Sequence, residues 1–252
     1  MIQGLYSAAN GMMAVEDRQA VIANNIANAT TPGFKRQLAV QKGFYQELVG
    51  TGAHPQLFNS EKAPGGGLKV NETFTNYANG IVTETGNPLD LALIGPGFFE
   101  VDTPDGVRLT RSGRFSVGEN GFIVTGNGNR LLGVSGEPID VSGGMVQIDE
   151  AGNVYVNDEI RDQLSILEFD DPHALSREGY TLFRAADAVL ASSRQAESTI
   201  IAPQSIEGSN VQLPVEMVNM MMALRAYAAN QQVLQSVSET TGKLIDQVGG
   251  QG

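Results

Sequence analysis

The sequence predicts an α+β fold, with long N- and C-terminal helices that form a coiled-coil domain and a central, mostly antiparallel β domain between them. Apolar residues recur every three or four positions near both ends of the chain, which is the spacing of one helix face. Between the ends, short runs of alternating apolar and polar residues are separated by glycine turns. That pattern is typical of β-hairpins.

The N-terminal helix is predicted from about Ile2 to Ala29, because Thr31-Pro32-Gly33 then stops it. At 1.5 Å per residue it is about 40 Å long. Its apolar side is called here the N-terminal stripe, and it consists of Leu5, Ala8, Met12, Val15, Ile22, Ile26 and Ala29, interrupted by Gln19.

The C-terminal helix is predicted to begin between Asn210 and Pro214 and to end near Val248, with a length of about 50 Å. Asn210 is a good N-cap residue, whereas Pro214 fits the first helical position, so the two signals differ by about one turn. The C-terminal stripe consists of Val215, Val218, Met222, Ala226, Ala229, Val233, Val237, Thr240, Leu244 and Val248. Its steps of 3-4-4 give about 3.67 residues per turn, which favours a nearly straight or slightly right-handed supercoil.

A second stripe makes the C-terminal helix apolar on more than one side. It runs through Met217, Met220, Leu224, Tyr227, Leu234 and Ile245. One interpretation is that a stripe packs within the chain's own pair of helices. The other is that the remaining stripe packs on a neighbouring subunit. The latter is favoured, because a lone pair of helices has only one mutual surface to fill. We therefore expect the N-terminal and C-terminal stripes to supply the assembly interface, through Leu5, Ala8, Met12, Val15, Ile22, Ile26, Val215, Val218, Met222, Ala226, Ala229, Val233, Val237, Leu244 and Val248.

The middle of the chain divides into a linker and a strand-rich segment. The glycine- and proline-containing stretch from Gly50 to Gly67 indicates a loop or linker. Two segments around 115–124 and 146–156 share one hairpin template, and another strand is expected over Gln163–Phe169. The expected division is a helical domain of residues 1–35 and 205–252, an extended connector of residues 36–82, and a β domain of residues 83–204.

Composition restricts the function classes. Sixteen basic and twenty-eight acidic residues give a net charge of −12, which argues against nucleic acid or an anionic membrane as a partner. The chain has no cysteine, so it uses neither disulfides nor thiolate metal sites. The most apolar run, Val215–Ala229, contains three polar or charged residues and is not expected to span a membrane. The first twenty residues do not form a signal peptide, so export by a route without a cleaved signal is expected.

Residues that could carry catalysis are sparse. His54 and His173 lie in loop-like sequence with no second ligand at a metal-binding spacing. The run Asp149–Asn153 resembles a calcium loop, but Ile160 occupies the position of the closing glutamate. Neither Gly65–Lys69 nor Gly126–Gly128 has the context of a phosphate or dinucleotide loop. We expect no catalytic residue, no metal site and no cofactor.

Three stretches of the chain resemble one protein family. The string ANNIANATTPGFKR (Ala23 to Arg36) resembles the asparagine-rich signature of bacterial flagellar rod and hook proteins. PLDLALIGPGFFEV and LTRSGRFSVGENGFIVTGNGNRLLG, in the middle of the chain, are similar to the β domain of that family, and GSNVQLPVEMVNMMMALRAYAANQQVLQ is similar to its C-terminal helix. The signature positions are Asn24, Asn25, Asn28, Pro32, Gly33 and Phe34.

The resemblance implies a structural axial subunit of the flagellar basal-body rod, located in the periplasm and exported uncleaved by the type III apparatus. The terminal helices would form an inner coiled-coil tube, with the β domain outside it, and the tube would transmit torque from motor to hook. Implied partners are other copies of the chain and neighbouring rod, hook, export-gate and ring proteins. The tail ETTGKLIDQVG slightly favours the proximal rod type, whereas VNMMMALRAY and FYQELVG suit the distal type or a short hook-type subunit.

Two other classes were weighed against the structural one. A peptidoglycan-acting β domain on helical arms would need two convergent carboxylates, and the available ones lie at predicted turns: Asp102, Asp105, Asp149 and Glu150. A secreted adhesin or binding module would be an autonomous monomer without filament contacts.

Overall fold

The computed structural model describes residues 2–43, 68–196 and 198–249. Its helices are α1 (Ile2–Ala27), the short α2 (Asp187–Leu190) and α3 (Leu213–Gly249). The chain thus has one long helix at each end, and its paired strands between them are antiparallel wherever the register is defined. The α+β class is confirmed. Among the described residues, no helix is long and apolar enough to cross a membrane.

The strands follow one another with short connections. In chain order they are β1 (Gln37–Gly43), β2 (Leu68–Thr75), β3 (Val82–Glu84), β4 (Leu91–Ile94), β5 (Phe98–Thr103), β6 (Gly106–Thr110), β7 (Phe115–Val117), β8 (Ile123–Thr125), β9 (Arg130–Leu131), β10 (Val146–Ile148), β11 (Asn153–Val156), β12 (Glu159–Gln163), β13 (Ile166–Glu168), β14 (Ser176–Glu178), β15 (Leu182–Arg184), β16 (Arg194–Gln195), β17 (Ile200–Pro203) and β18 (Ser205–Glu207).

The chain forms two compact units. The first contains α1, β1, nearly all of β2, and α3; the second contains residues 27–36 and 75–211. The pair β1–β2 lies in the segment expected to be a connector. The predicted division at residues 1–35, 36–82, 83–204 and 205–252 stays a prediction.

Both long helices have the ends that local sequence rules favour. α1 stops at Ala27, two residues before the expected end, in the asparagine- and threonine-rich stretch ahead of Gly33, whose φ is +68°. At the other helix, the amide of Glu216 donates to the carbonyl of Gln212 at 3.1 Å, so α3 begins at Leu213 and Pro214 lies in its first turn. There proline costs no backbone hydrogen bond, because the first amides of a helix have no partner within it.

The second unit is built around one large antiparallel sheet. Its order is β14-β15-β6-β5-β9-β8-β7, and β13 pairs with both β5 and β16. A smaller sheet, β10-β11-β12, and the pairs β4–β17 and β3–β18 complete the unit. Two apolar clusters form its core. One includes Leu91, Phe99, Ile123, Leu131, Val154 and Ile201, and the other Phe98, Leu109, Leu167, Phe169, Leu175 and Phe183.

The two predicted hairpins are confirmed. β7 pairs with β8 from Phe115 opposite Thr125, and β10 pairs with β11 from Val146 opposite Val156. The single strand predicted over Gln163–Phe169 is wrong in its continuity. β12 ends at Gln163 and β13 begins at Ile166, because Leu164 leaves the small sheet and forms a bridge with Gly133.

Phe98 gives a test of the second apolar cluster. Its ring is fully buried and makes edge contacts with Tyr77, Phe169 and Phe183, with centroid separations of 5.6–6.0 Å. We expect Phe98→Ala to lower the free energy of unfolding by about 3–5 kcal/mol, because it removes the ring and leaves a cavity. Urea unfolding of the full chain, followed by circular dichroism, measures this loss. Ile200→Ala, at a side chain that is 58% exposed, is the control and should cost about 1 kcal/mol or less.

Candidate functional site

A buried ion cluster holds together three stretches that are far apart in the sequence. Lys35 Nζ lies 2.7 Å from Glu207 Oε1, and Arg111 Nη1 lies 3.6 Å from Glu207 Oε2. The three side chains are at most 1% exposed. Lys35 lies in the part of the signature string that follows α1, called here the signature segment (residues 28–36), and Glu207 ends β18 shortly before α3. The ion cluster thus joins the two segments that lead to the terminal helices, within the second unit.

The ion cluster has one carboxylate for two cations. Burial lowers the pKa of Lys35 and of Arg111, and the Glu207 carboxylate opposes that shift in both. Glu207 Oε1 also accepts from the amide of Gly80 at 2.7 Å, and Lys35 Nζ donates to the carbonyl of Ala78 at 3.0 Å. Arg111 Nη2 donates to the carbonyl of Gly95 at 2.6 Å, and its guanidinium lies 4.9 Å from the centre of the Phe98 ring. Backbone groups and the opposite charges therefore offset part of the cost of burial, while Arg111 Nε, Arg111 Nη1 and Glu207 Oε2 lack a hydrogen-bond partner in the described part of the chain.

Gly33 makes the close approach of the signature segment possible. Its amide donates to the carbonyl of Glu207 at 2.8 Å. A Cβ at this position would lie 2.4 Å from the backbone carbonyl atoms of Arg111. With φ at +68°, the conformation is also one that other residues adopt only at a cost. Only glycine meets both conditions.

Phe34 anchors the same segment through its ring. It is completely buried, and the Arg177 guanidinium lies 4.3 Å from its ring centre. Arg177 Nη1 also donates to the carbonyl of Lys35 at 2.6 Å. Burial lowers the pKa of Arg177 to about 10, so that side chain stays charged at neutral pH. This cation–π contact adds to the attraction between the signature segment and β14.

The ion cluster and the backbone segments that contact it are called here the junction. Asn210 connects these segments from the α3 side. Its Oδ1 accepts from the amide of Arg36 at 2.7 Å, and its Nδ2 donates to the carbonyls of Asn76 and Ala78 at 2.8 and 2.9 Å. Its own amide donates to the carbonyl of Phe34 at 3.3 Å. Asn210 is therefore a bridge between backbone segments. The interpretation of Asn210 as a helix cap is wrong, because α3 starts three residues later.

The signature asparagines act through their amide groups. Asn25, which is 1% exposed, pairs with both backbone groups of Gln37: its Nδ2 donates to the carbonyl at 2.8 Å and its Oδ1 accepts from the amide at 2.9 Å. The Asn28 Oδ1 accepts from the Thr31 hydroxyl at 3.2 Å. Asn24 and Pro32 are partly buried at the end of α1 and in the turn that follows it. The signature thus fixes where the chain goes after α1.

The sequence did not indicate the charged members of this junction. Lys35 and Arg111 lie inside the resembling strings, and Glu207 lies one residue before the last of them, but no periodicity links them. Lys35 and Glu207 are separated by 172 positions. A charge close to a glycine turn is usually a surface charge, so only their burial identifies them.

The C-terminal stripe is largely exposed in the single chain. Val215 and Val218 are each 43% exposed, Met222 is 58% and Val233 is 49%. Ala226 and Ala229 are exposed as well, whereas Val237 is partly buried. The side chains of Leu244 and Val248 lie outside the described residues. An amphipathic helix that leaves this many apolar side chains in water has surface available for another protein.

A different face of α3 is buried within the chain. The least exposed positions, called here the heptad face, alternate in steps of four and three: Glu216, Met220, Ala223, Tyr227, Asn230, Leu234, Val237 and Thr241. Glu216 and Ala223 are only 1% and 2% exposed. A Cβ on Gly11 of α1 would lie 3.2 Å from Asn230 Nδ2, so α1 approaches this face. The heptad face includes the less exposed members of the second predicted stripe, whereas Met217 and Leu224 are exposed.

The N-terminal stripe is less exposed than the C-terminal one. Ala8 and Ile22 are buried, with exposures of 9% and 5%. Met12, Val15 and Ile26 are partly buried. The side chain of Leu5 lies outside the described residues. The N-terminal stripe therefore offers less free apolar surface in the single chain than α3 does.

The groups considered for catalysis do not converge on one site. Asp149 sits in the β10–β11 turn, where its carboxylate accepts from the amides of Ala151 and Asn153 at 3.0 and 2.8 Å. His173 packs edge-on against Tyr77 with ring centres 5.5 Å apart. Within the described parts of the chain, no group of three or more histidine and acidic side chains could hold a metal ion. His54, the FYQELVG stretch and Gly65–Gly67 lie outside the described residues.

Three family models match the chain in order. Residues 5–35 match the model "Flagella basal body rod protein", residues 92–156 match "Flagellar hook protein FlgE/F/G D1 domain", and residues 202–247 match "Flagellar basal body rod FlgEFG protein C-terminal". The matched ranges include the signature segment, the core strands and α3. They also contain all three members of the ion cluster.

Curated relatives match along nearly their whole length. "Flagellar basal-body rod protein FlgF" of Mesorhizobium japonicum is 30% identical, with 99% of each chain covered. "Flagellar basal-body rod protein FlgG" of Bacillus subtilis is 29% identical, over 98% of this chain and 99% of the relative. A protein of the same FlgG name from Buchnera aphidicola is 32% identical, over 97% of this chain and 99% of the relative.

Substitution of Glu207 tests how much the ion cluster contributes to the free energy of unfolding. We expect Glu207→Ala to lower the free energy of unfolding by about 3–5 kcal/mol, because it leaves Lys35 and Arg111 buried without a carboxylate. Chemical denaturation monitored by circular dichroism measures the loss. Arg194→Ala, which breaks an ion pair with Asp170 whose side chains are 72% and 75% exposed, should cost less than about 1 kcal/mol. Equal effects of the two variants would contradict the assigned role of the ion cluster.

Gly33 tests the close approach of the signature segment. Gly33→Ala and Gly86→Ala both place a side chain at a positive φ, +68° and +73°, but only at Gly33 would the new Cβ meet other atoms. The conformation alone costs about 1–2 kcal/mol. We therefore expect Gly33→Ala to lower the thermal midpoint clearly more than Gly86→Ala does in differential scanning calorimetry. A similar shift for both would mean that the segment can move away from Arg111 without cost.

Proposed function

This chain belongs to the flagellar basal-body rod protein family and is a structural subunit of the basal body, and from that premise we propose that it assembles by helix packing into a tube. In this proposal the segments 1–35 and 205–252 form the coiled-coil wall. Residues 36–82 connect it to the β domain of residues 83–204, which lies outside. The tube then carries torque from the motor to the hook.

The exposed C-terminal stripe is the observation that carries this proposal. Its Val215, Val218, Met222 and Val233 are 43–58% exposed beside a face that already packs within the chain. Burial of such a side chain from full exposure contributes about 1.5–3 kcal/mol, so burying the remaining half contributes on the order of 1 kcal/mol each. The gain from these four side chains is small against the cost of association, so association requires that a neighbour cover the whole stripe. Two stripes on adjoining faces fit a helix with neighbours on two sides.

The same energetics favour terminal helices that become ordered only when they dock on other subunits. A single long helix gains most of its stability from packing of its apolar face, and much of that face on α3 is uncovered in the single chain. We therefore propose that the terminal segments stay loosely folded during export and order when they meet the assembled tube. Small residues such as Ala8, Ala226, Ala228 and Ala229 would allow close helix approach.

The ion cluster supports the transmission of torque. Both segments that lead to the terminal helices are held in the second unit by buried bonds, through Lys35 and Phe34 on one side and Glu207 and Asn210 on the other. A load on either segment therefore reaches the β strands through these contacts. No catalytic role, metal or cofactor forms part of the proposal.

We place the subunit in the proximal rod, on the resemblance of the tail ETTGKLIDQVG, with the distal rod as the second candidate. The partners in this proposal are further copies of the chain and the adjoining rod, hook, export-gate and ring proteins. Electron cryotomography of cells that lack the gene tests the position. A basal body that stops before any rod extends supports the proximal assignment, whereas a shortened rod that already reaches the outer rings supports the distal one.

Met222 tests the assembly role of the C-terminal stripe. We expect Met222→Glu to lower incorporation into isolated basal bodies by about tenfold or more, because burying an unpaired carboxylate in a helix interface costs more than 1.4 kcal/mol. The monomer should keep its unfolding midpoint, since Met222 is 58% exposed. Gln235→Glu, an exposed position on another side of α3, is the matched control. Normal incorporation of the Met222 variant would overturn the proposal. A lowered unfolding midpoint of the monomer would mean that the reduced incorporation results from impaired folding.

A further inference from the structure

A pocket in the second unit is lined almost entirely by uncharged polar side chains. It has a volume of about 260 Å³, and nine of its eleven lining residues carry a hydroxyl or a side-chain amide. The other two are Gly126 and Leu182, and none of the eleven is charged. This pocket, called here the polar pocket, therefore favours a ligand that is polar and carries no charge.

Three separate stretches of the chain form the polar pocket. Asn28 and Thr31 come from the signature segment, and residues 125–129 form the turn between β8 and β9. Thr110 and Leu182 lie directly opposite each other on β6 and β15. All three stretches belong to the second unit. The pocket is therefore formed by the tertiary structure of that unit and not by a single loop.

The most buried hydroxyls of the pocket are held by the protein itself. Thr110 is 1% exposed, and its hydroxyl donates to the carbonyl of Thr181 at 3.0 Å and accepts from the amide of Ser112 at 3.1 Å. Thr125 Oγ1 accepts from the amide of Asn129 at 3.2 Å, and the Thr125 amide donates to the carbonyl of Asn129 at 2.8 Å. Because these backbone groups are already paired, the pocket presents side chains to a ligand and not a free strand edge.

Two side-chain amides of the lining remain available for a ligand. In the described part of the chain, no protein group pairs with the side-chain amide of Asn127 or with that of Asn129. Each of these amides offers two N–H donors and one carbonyl acceptor. Tyr180, which is 63% exposed, adds an aromatic ring and a hydroxyl to the same lining. Donors and acceptors beside an aromatic face match a ring that carries hydroxyls and has an apolar side.

We propose that the polar pocket binds one ring of a neutral saccharide. Each hydroxyl of a pyranose ring both donates and accepts hydrogen bonds, so the ring pairs with hydroxyl and amide side chains together. A phosphate or carboxylate ligand finds no cation in the lining, and a flat apolar ring would contact little more than Leu182 and Tyr180. Pockets for drug-sized ligands have volumes of roughly 300–1,000 Å³. The slightly smaller volume here suits a single ring, with the rest of a longer sugar chain in solvent.

This inference goes beyond the proposed function, because it gives the subunit a partner that is not a protein. The lining contains no residue of α1 or α3 within the described parts of the chain, so the site does not depend on helix packing. A bound ring contacts the signature segment, β6, β15 and the β8–β9 turn together. Binding therefore stabilises the arrangement of these four elements.

Titration of the full chain with neutral sugars tests the proposal. The backbone amide signals of the isotope-labelled monomer are followed by NMR while chitotriose or maltotriose is added, of which only chitotriose carries N-acetyl groups. We expect at least one of them to give saturable shifts at residues 28–31, 110–112, 125–129 and 180–182, with a Kd on the order of 1 mM. The absence of saturable shifts at these residues with both sugars, at concentrations up to about ten times that value, overturns the proposal.

Asn127 and Asn120 provide a matched pair of variants for the same titration. Each is followed by a glycine, Gly128 or Gly121, whose amide donates to the carbonyl three residues earlier at 2.8 or 2.9 Å. Both asparagines are exposed, but only Asn127 lines the polar pocket. We expect Asn127→Ala to raise the Kd of the sugar about fivefold, because it removes hydrogen bonds to the bound ring. Asn120→Ala should leave that Kd within about twofold, and both variants should keep the thermal midpoint. Equal Kd values for the two variants would show that the sugar does not bind in the polar pocket.

Discussion

The pairing of Glu207 with Lys35 and Arg111 is the interaction on which the rest of the structure depends. It is the point where the segment after α1, the end of β6 and the segment before α3 meet. Removing three charges from water costs several kcal/mol for each, and their attraction offsets that cost only in a geometry that satisfies them. Here the backbone of Ala78, Gly80 and Gly95 supplies some of the partners, whereas Arg111 Nε, Arg111 Nη1 and Glu207 Oε2 have no hydrogen-bond partner among the described residues. The ion cluster therefore contributes more to the uniqueness of the junction than to net stability.

Side chains at the junction are buried and have partners, whereas many apolar side chains of α3 are exposed. In the second unit, Phe34, Lys35 and Glu207 are at most 1% exposed, and each is held by named partners. On α3, apolar side chains such as Met222 remain in water. An ordered ion cluster within the second unit and an uncovered helix in the first together suit the proposed role of a subunit whose stability is completed by its neighbours. In that proposal the exposed face supplies the driving force for assembly.

The two periodicities of α3 explain why one helix can serve two interfaces. The heptad face, with steps of four and three, gives 3.5 residues per turn, whereas the steps of 3-4-4 in the C-terminal stripe give about 3.67. Val237 belongs to both sets. A face that packs against α1 and a face that drifts the other way around the helix axis lie side by side near the start of α3 and converge toward Val237. The −12 charge is carried elsewhere, so neither face needs to bury many acidic residues.

The sequence by itself determined the class of fold, the two long helices, both glycine-turn hairpins and the apolar stripes, because helix and strand periodicities are local. It also placed the signature residues through their resemblance to a family. It did not determine which face of α3 is buried in the chain, since two apolar faces are equivalent until a partner such as Gly11 covers one. The ion cluster and the bridge made by Asn210 were decided only by the tertiary structure. Each depends on groups that lie far apart along the chain, as Lys35 and Glu207 do at 172 positions, and no local pattern encodes such pairings.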